Sequence, residues 1–229
     1  MRQIVLLSGG LDSAVCLARA VREGEVRLAL NFSYGQRAES RERESAEKLA
    51  DYYGVPLECV ELPFLKKLTG TALVDDEVPL PEPRTADLDN PQVARETAER
   101  VWVPNRNGLF INIAACYAES LECDVLVAGF NAEEARTFPD NSRAFVEAAN
   151  RAFSFSTRGS VRLVSYTQSL TKPEIAGLGA ELGLPFEMIW SCYRGEAAMC
   201  GRCESCRRLQ RALIAAGLGP VLDKLGWRD

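Results

Sequence analysis

Ser8-Gly9-Gly10-Leu11-Asp12-Ser13 places two glycines, two hydroxyls and a carboxylate in six residues. The apolar run Ile4-Val5-Leu6-Leu7 precedes it and Ala14-Val15-Cys16-Leu17 follows, so the hexapeptide reads as the turn between a buried strand and a helix. Glycines let the backbone approach a ligand closely and take up conformations closed to bulkier residues. Free amide N–H groups and the helix dipole then favour an anion, and Ser8 and Ser13 add hydroxyl donors. Asp12 beside a phosphate needs its own use, a magnesium ion or the helix N-terminus. No lysine follows the second glycine and the spacing is not G-x-G-x-x-G, so neither the Walker nor the dinucleotide pattern applies.

Cys192, Cys200, Cys203 and Cys206 form the second constellation, C-x7-C-x2-C-x2-C. Gly201 and Ser205 permit the tight turns that bring sulfurs to about 2.3 Å from one metal. Four thiolates suit tetrahedral zinc, with an iron–sulfur cluster as the rival. A closed four-sulfur site leaves no position for water, which indicates a structural role. Cys16, Cys59, Cys116 and Cys123 are read as small packing residues.

The chain has 229 residues and no histidine. That excludes a Ser-His-Asp triad, a Cys-His pair and an imidazole metal ligand. Proton transfer must use carboxylates, lysine, tyrosine, cysteine, water or the substrate. A net charge of −5 argues against a general nucleic-acid coat, and no direct nucleic-acid partner is expected. No apolar run reaches the roughly 18 residues of a membrane span. The opening MRQIVLLSGG reads as a strand running into a turn, not a signal peptide. Eight cysteines without a secretory signal point to the reducing cytoplasm.

These residues need a frame to position them. Strands are expected at Ile4–Leu7, Val26–Asn31, Leu57–Leu62, Asp124–Gly129 and Val161–Ser165. Helices are expected from Asp12 or Ser13 to about Val21, and over Glu39–Tyr53, Gly108–Leu121, Ser142–Phe155 and Lys172–Leu182. Alternating strands and helices imply a parallel sheet covered on both faces. Residues 69–103, with Pro79, Pro81, Pro83 and Pro91 among acidic residues, read as a long loop with a short helix near Gln92–Arg100. The expected division is an α/β domain over 1–187 and a four-cysteine subdomain over 188–229 packed on it.

The hexapeptide resembles the SGGxDS signature of the PP-loop ATP pyrophosphatases, whose members cleave ATP between the α and β phosphates. The order of further motifs resembles the 7-cyano-7-deazaguanine synthases: Tyr34-Gly35-Gln36-Arg37, Val103-Pro104-Asn105-Arg106-Asn107, Phe138-Pro139-Asp140, Lys172 with Glu174, Ser191-Cys192-Tyr193 and the CGxCxSC close. The resemblance implies a Rossmann-like adenine nucleotide alpha-hydrolase sheet with a small C-terminal zinc subdomain. It implies that ATP activates the carboxylate of 7-carboxy-7-deazaguanine, that ammonia gives the amide, and that a second ATP activates the amide oxygen to leave a nitrile. ATP, Mg2+ and Zn2+ are the implied cofactors, and a homodimer the implied assembly. The segment Leu7, Ser8, Gly9, Gly10, Leu11, Asp12, Ser13, Ala14, Val15, Cys16 and Leu17 would bind ATP. Asp12, Arg106 and Lys172 are the catalytic candidates. Arg37, Asn107 and Asp140 are the candidates for the substrate: an arginine suits phosphate or carboxylate, and a carboxylate suits the N–H edge of the base.

The chain departs from the family pattern in places. Ala38 stands where a histidine usually follows the arginine, Asn105 where a glycine is usual, Phe138 where tyrosine is usual and Asn141 where cysteine is usual. Asn131-Ala132-Glu133-Glu134 replaces the usual acidic pattern. These changes are expected to cluster in the base pocket. Three alternatives therefore stand: a paralogue that stops at the amide or takes another heteroaromatic acid, a PP-loop tRNA-modifying enzyme, and a nucleotide-binding sensor without catalysis.

Overall fold

The computed structural model describes residues 1–159 and 161–227. In chain order the elements are β1 (Arg2–Leu6), α1 (Leu11–Glu23), β2 (Glu25–Ser33), α2 (Glu39–Tyr53), β3 (Leu57–Glu61), α3 (Phe64–Leu68), α4 (Pro91–Val101), α5 (Arg106–Ser120), β4 (Val125–Val127), α6 (Arg143–Ser156), β5 (Arg162–Val164), α7 (Lys172–Leu182), α8 (Glu204–Ala215) and α9 (Gly219–Lys224). The five strands form one sheet in the order β3-β2-β1-β4-β5, and every pairing is parallel. This is the expected Rossmann-like sheet.

The alternation of side chains along each strand divides the core into two layers. Val5, Ala29, Val125 and Val127 pack with α1, α2, α7 and α8, through residues such as Leu17, Leu49, Ile175 and Leu213. Ile4, Leu30, Leu126 and Leu163 pack on the other face with Ile111 and Ala115 of α5 and Phe153 of α6. Cys192, Cys203 and Cys206 belong to the first layer, so the cysteine segment shares an apolar cluster with the sheet.

The chain winds outward from β1 to β3, then returns past β1 to place β4 on its other side. That reversal opens a crevice beyond the carboxyl ends of β1 and β4, the usual ligand position in an open parallel sheet. The phosphate-type turn leaves β1 at that point.

Several boundaries differ from the sequence expectation. Neither Asp12 nor Ser13 caps α1. Gly10 is the N-cap, and Ser13 Oγ donates back to Gly10 O at 3.0 Å. The short helix α3 and the pair α8 and α9 carry no signal that was read. The long loop holds α4, which starts at Pro91 after Asn90, whose side chain accepts from Gln92 N at 3.0 Å.

Candidate active site and four-cysteine cluster

Gly9 adopts φ +83°, and a Cβ there would lie 2.7 Å from Ser45 Oγ and 2.9 Å from the Glu42 carbonyl. The turn is therefore pressed against α2. Ser45 Oγ donates to Gly9 O at 3.0 Å, and Trp190 N donates to the same oxygen at 2.9 Å. Across the crevice Gly129, just after β4, faces the start of α1. A Cβ at Gly129 would stand 2.8 Å from Ser13 N. Two close backbone approaches thus hold the hexapeptide rigid. Ser8 Oγ and Ser13 Oγ lie 3.1 Å apart at its mouth.

A cavity of 310 Å³ opens here, lined by Ser8, Gly10, Asp12 and Ser13, by Arg106 and Asn107 of α5, and by Lys172 of α7. Lys172 Nζ donates to Asp12 Oδ2 and lies 2.6 Å from Glu134 Oε1. Burial disfavours its charge, but the two carboxylates outweigh that and raise its pKa, so Lys172 stays protonated. Two acids share this one cation. Burial pushes Asp12 up to about 6 against the pull of Lys172. Glu134 is lowered, because Lys172 more than offsets its burial. Asp12 Oδ1 is buried with no hydrogen-bond partner. Such an oxygen next to a phosphate-type turn suits a divalent cation, in keeping with the chemistry of hard cations and carboxylate ligands.

The opposite wall is aromatic. Phe32 and Phe110 stack with centroids 4.1 Å apart. Arg106 Nη1 donates to Tyr34 Oη at 3.1 Å, with its guanidinium 5.8 Å from that ring centroid. Glu42 also lines this wall. Gln36 Nε2 donates to Glu42 Oε2 at 2.9 Å, and burial raises the Glu42 carboxyl. Flat apolar rings beside a few polar groups suit a planar heterocycle. The segment after Met188 closes the cavity with Trp190, Tyr193, Glu204 and Arg208.

The residues singled out in the sequence divide between cavity and support. Leu7, Ser8, Gly10, Leu11, Asp12 and Ser13 line the cavity. Gly9 lies behind it, and Ala14, Val15, Cys16 and Leu17 are fully buried in the core. Burial pushes the Cys16 thiol up to about 11. Arg37 and Asp140 are not among the lining residues. The Arg37 guanidinium pairs with Asp76 at 3.0 Å and donates to Val78 O at 2.7 Å, tying down the start of the long loop. Burial raises the Asp140 carboxyl against the charge of Arg106. Of the departures from the family pattern, Glu133, Glu134, Phe138 and Asn141 line the cavity, whereas Ala38 and Asn105 do not. Ala38 is buried beside Gly195. Asn105 adopts φ 51°, a left-handed conformation that suits asparagine nearly as it suits glycine.

Glu42, Phe32, Phe110, Glu204 and Arg208 carry no signal in the sequence reading. Glu42 sits in the charged run Glu39–Glu44, and Arg208 in Arg207-Arg208-Leu209-Gln210-Arg211. Both runs look like solvated helix faces, and only the fold turns one member of each inward.

The sulfurs of Cys192, Cys200, Cys203 and Cys206 lie within 4.8 Å of one another, the only such group of potential ligands among the described residues. Sulfurs at about 2.3 Å from a tetrahedral zinc stand about 3.8 Å apart, so the cluster fits that ion. Backbone N–H groups already point at the sulfurs. Arg194 N and Cys200 N donate to Cys192 Sγ at 3.3 and 3.4 Å, and Cys203 N donates to Cys200 Sγ at 3.3 Å. Cys200 Sγ and Cys206 Sγ lie 4.0 Å apart. Cys203 is the N-cap of α8 and Cys206 lies in its first turn.

A parallel sheet with a phosphate-type turn at its switch point, a buried lysine between carboxylates and a four-cysteine clasp define a nucleotide-using α/β protein. Residues 2–217 match the family described as queuosine biosynthesis protein QueC. The chain is 57% identical to the 7-cyano-7-deazaguanine synthase of Desulforamulus reducens, over 95% of this chain and 96% of the relative. It is 55% identical to that of Desulforudis audaxviator, over 95% and 98%, and 45% identical to that of Methanosarcina barkeri, over 99% and 100%. The chain belongs to the queuosine biosynthesis protein QueC family. No helix among the described residues is long and apolar enough to cross a membrane.

Proposed function

We propose that the chain makes 7-cyano-7-deazaguanine from 7-carboxy-7-deazaguanine, ammonia and two ATP, as an ATP-dependent carbon–nitrogen ligase of the cytoplasm. The carrying observation is the single cavity that joins the Ser8–Ser13 turn, the Asp12–Lys172–Glu134 group and the aromatic wall of Phe32 and Phe110. A carboxylate is a poor electrophile because its leaving group is oxide. Transfer of AMP to one carboxylate oxygen releases pyrophosphate and creates a good leaving group. Ammonia then displaces AMP and gives the amide. A second ATP takes the amide oxygen in the same way, and loss of AMP and a proton leaves the nitrile. This chemistry asks for phosphate charge to be neutralised and reactants to be held in line, and it needs no histidine.

The amide groups and hydroxyls of Ser8 to Ser13 would hold the pyrophosphate. Lys172 and Arg106 would face the charge that develops on the transferred phosphate. Asn107 would hydrogen-bond to one of the bases, and Glu42 presents an acceptor to a base N–H edge. Asp140 and Arg37 act from behind the cavity wall in this reading, Asp140 on Arg106 and Arg37 on the loop at 75–78. Asp12 and Glu134 are the carboxylates suited to Mg2+, which supplies charge neutralisation at the phosphates when bound. The four cysteines would hold Zn2+ as a clasp, with 188–229 as the zinc subdomain on the 1–187 body. The expected assembly is a homodimer without direct nucleic-acid contact.

The test is a mass-spectrometric product assay with ATP, magnesium, an ammonium salt and 7-carboxy-7-deazaguanine. Nitrile with AMP and pyrophosphate supports the proposal. Accumulated amide supports the second reading, in which Phe138 and Asn141 on the cavity wall have removed the dehydration step.

A further inference from the structure

Two consecutive carboxylates grip one lysine at both ends. Glu134 takes the Lys172 side chain, with Oε1 2.6 Å from Nζ. Glu133 takes its main chain, with Oε1 accepting Lys172 N at 2.9 Å. The second oxygen of Glu133 faces α8, 3.2 Å from Arg211 Nη2 and 3.7 Å from Arg208 Nη1. The Glu133 side chain is only 13% exposed. Both oxygens are engaged by the protein at the cavity wall.

The capping box at the start of α7 serves the amides of Thr171 and Glu174, with Thr171 N donating to Glu174 Oε2 at 2.7 Å, and leaves the Lys172 N–H to Glu133. Glu133 adds a tie between three elements that meet at the cavity: the segment after β4, the first residue of α7, and α8. The last of these begins at Cys203 and Cys206. Lysine is a flexible four-carbon stem, so the position of Nζ depends on where its Cα is held. A displacement of about 1 Å at a reacting group is enough to lose a large part of the rate.

We propose that Glu133 is a positioning residue, whose carboxylate locks the Lys172 main chain to α8 and so sets Nζ at the phosphate site. This rests on the proposed ligase reading for its kinetic readout, and on the Glu133–Lys172 contact for its spectroscopic one. The test uses the full-length, zinc-loaded chain carrying 13C at lysine Cε, with the Lys172 signal assigned through Lys172→Arg among the five lysines. Glu133→Ala shifts the Lys172 signal and lowers kcat at least about tenfold. KM for ATP stays within about twofold, and the zinc-to-protein ratio is unchanged. Glu133→Gln keeps the acceptor for Lys172 N and restores most of the kcat. Arg211→Met, which removes the shorter of the two α8 contacts and leaves Arg208, moves the Lys172 signal in the same direction by a smaller amount. An unmoved Lys172 signal in Glu133→Ala overturns the proposal, as does a Glu133→Gln variant as impaired as Glu133→Ala. If Glu133→Ala does not fold, Glu133→Gln and Arg211→Met decide by the same signals. A wild-type chain without turnover overturns the ligase reading, and the Lys172 signal still decides the role of Glu133.

Discussion

Asp12 carries the heaviest load of any single side chain. One of its oxygens receives Lys172 Nζ and the other is buried without a partner. Asp12→Ala is expected to abolish pyrophosphate release while circular dichroism shows an unchanged fold, since Glu134 still pairs with Lys172. Normal pyrophosphate release in that variant would contradict the placement of the phosphate site. Its titration gives a second test. Burial raises the folded-state value from 3.8 to about 6. A carboxyl raised on folding stabilises the fold below that value and loses the stabilisation as pH rises through it. The ligand-free protein should therefore gain stability, about 2 kcal/mol from this group, as pH falls from 7 towards 4.5. Activity should move the other way and fall on acidification, since a protonated Asp12 no longer serves the cation. Denaturant melts and initial rates across that range check both signs. The hexapeptide was legible because its chemistry is contiguous in the chain. Glu42 was not, because an inward carboxylate inside Glu39–Glu44 differs from its neighbours only in the direction the fold gives it.

The elements place these side chains by close backbone contact. Gly129→Ala should damage the phosphate turn directly, since the added carbon would stand 2.8 Å from Ser13 N and 2.9 Å from the Asp12 carbonyl carbon. Backbone cannot step aside as a side chain can, and overpacking of this kind costs roughly 1–3 kcal/mol. Calorimetry should show a lowered Tm together with weakened ATP binding, and a wild-type Tm would contradict the contact. At the start of α5, Asn105 sits at φ 51° and ψ 27°. Asn105→Gly should be neutral, and Asn105→Val should destabilise by about 1–2 kcal/mol in urea unfolding, because a β-branched residue resists that conformation. Helices with clear signals, such as Glu39–Tyr53 and Lys172–Leu182, match their sequence boundaries. Both end at a glycine with positive φ, Gly54 and Gly183. Helix α8 was missed because its opening is also the metal motif. Cysteines at its N-cap and first turn mask the apolar spacing of Leu209, Ala212 and Leu213.

At the scale of the whole molecule, the four-cysteine segment closes the cavity as well as the tail. Trp190 N reaches Gly9 O, and Glu204 and Arg208 stand in the cavity wall. The long acidic loop is strapped to this segment. Glu82 pairs with Arg194 at 2.8 Å and Arg202 at 3.1 Å, and Asp89 with Arg211 at 2.7 Å. Cys203→Ser should therefore lower zinc content, stability and turnover together. An unchanged metal-to-protein ratio would contradict the ligand set. The sequence showed the parallel sheet and the cluster, since both rest on local pattern. The strapping was hidden, because partners such as Glu82 and Arg194 are far apart in the chain and each alone resembles surface charge.

The central claim is that one cavity activates the same carbon twice. Turnover with 7-carboxy-7-deazaguanine carrying 18O in both carboxylate oxygens tests it most directly, with the AMP and base products read by mass spectrometry. The account predicts two AMP for each nitrile, each AMP carrying one 18O. An unlabelled AMP pool, or a base product that retains 18O as the amide, would contradict it.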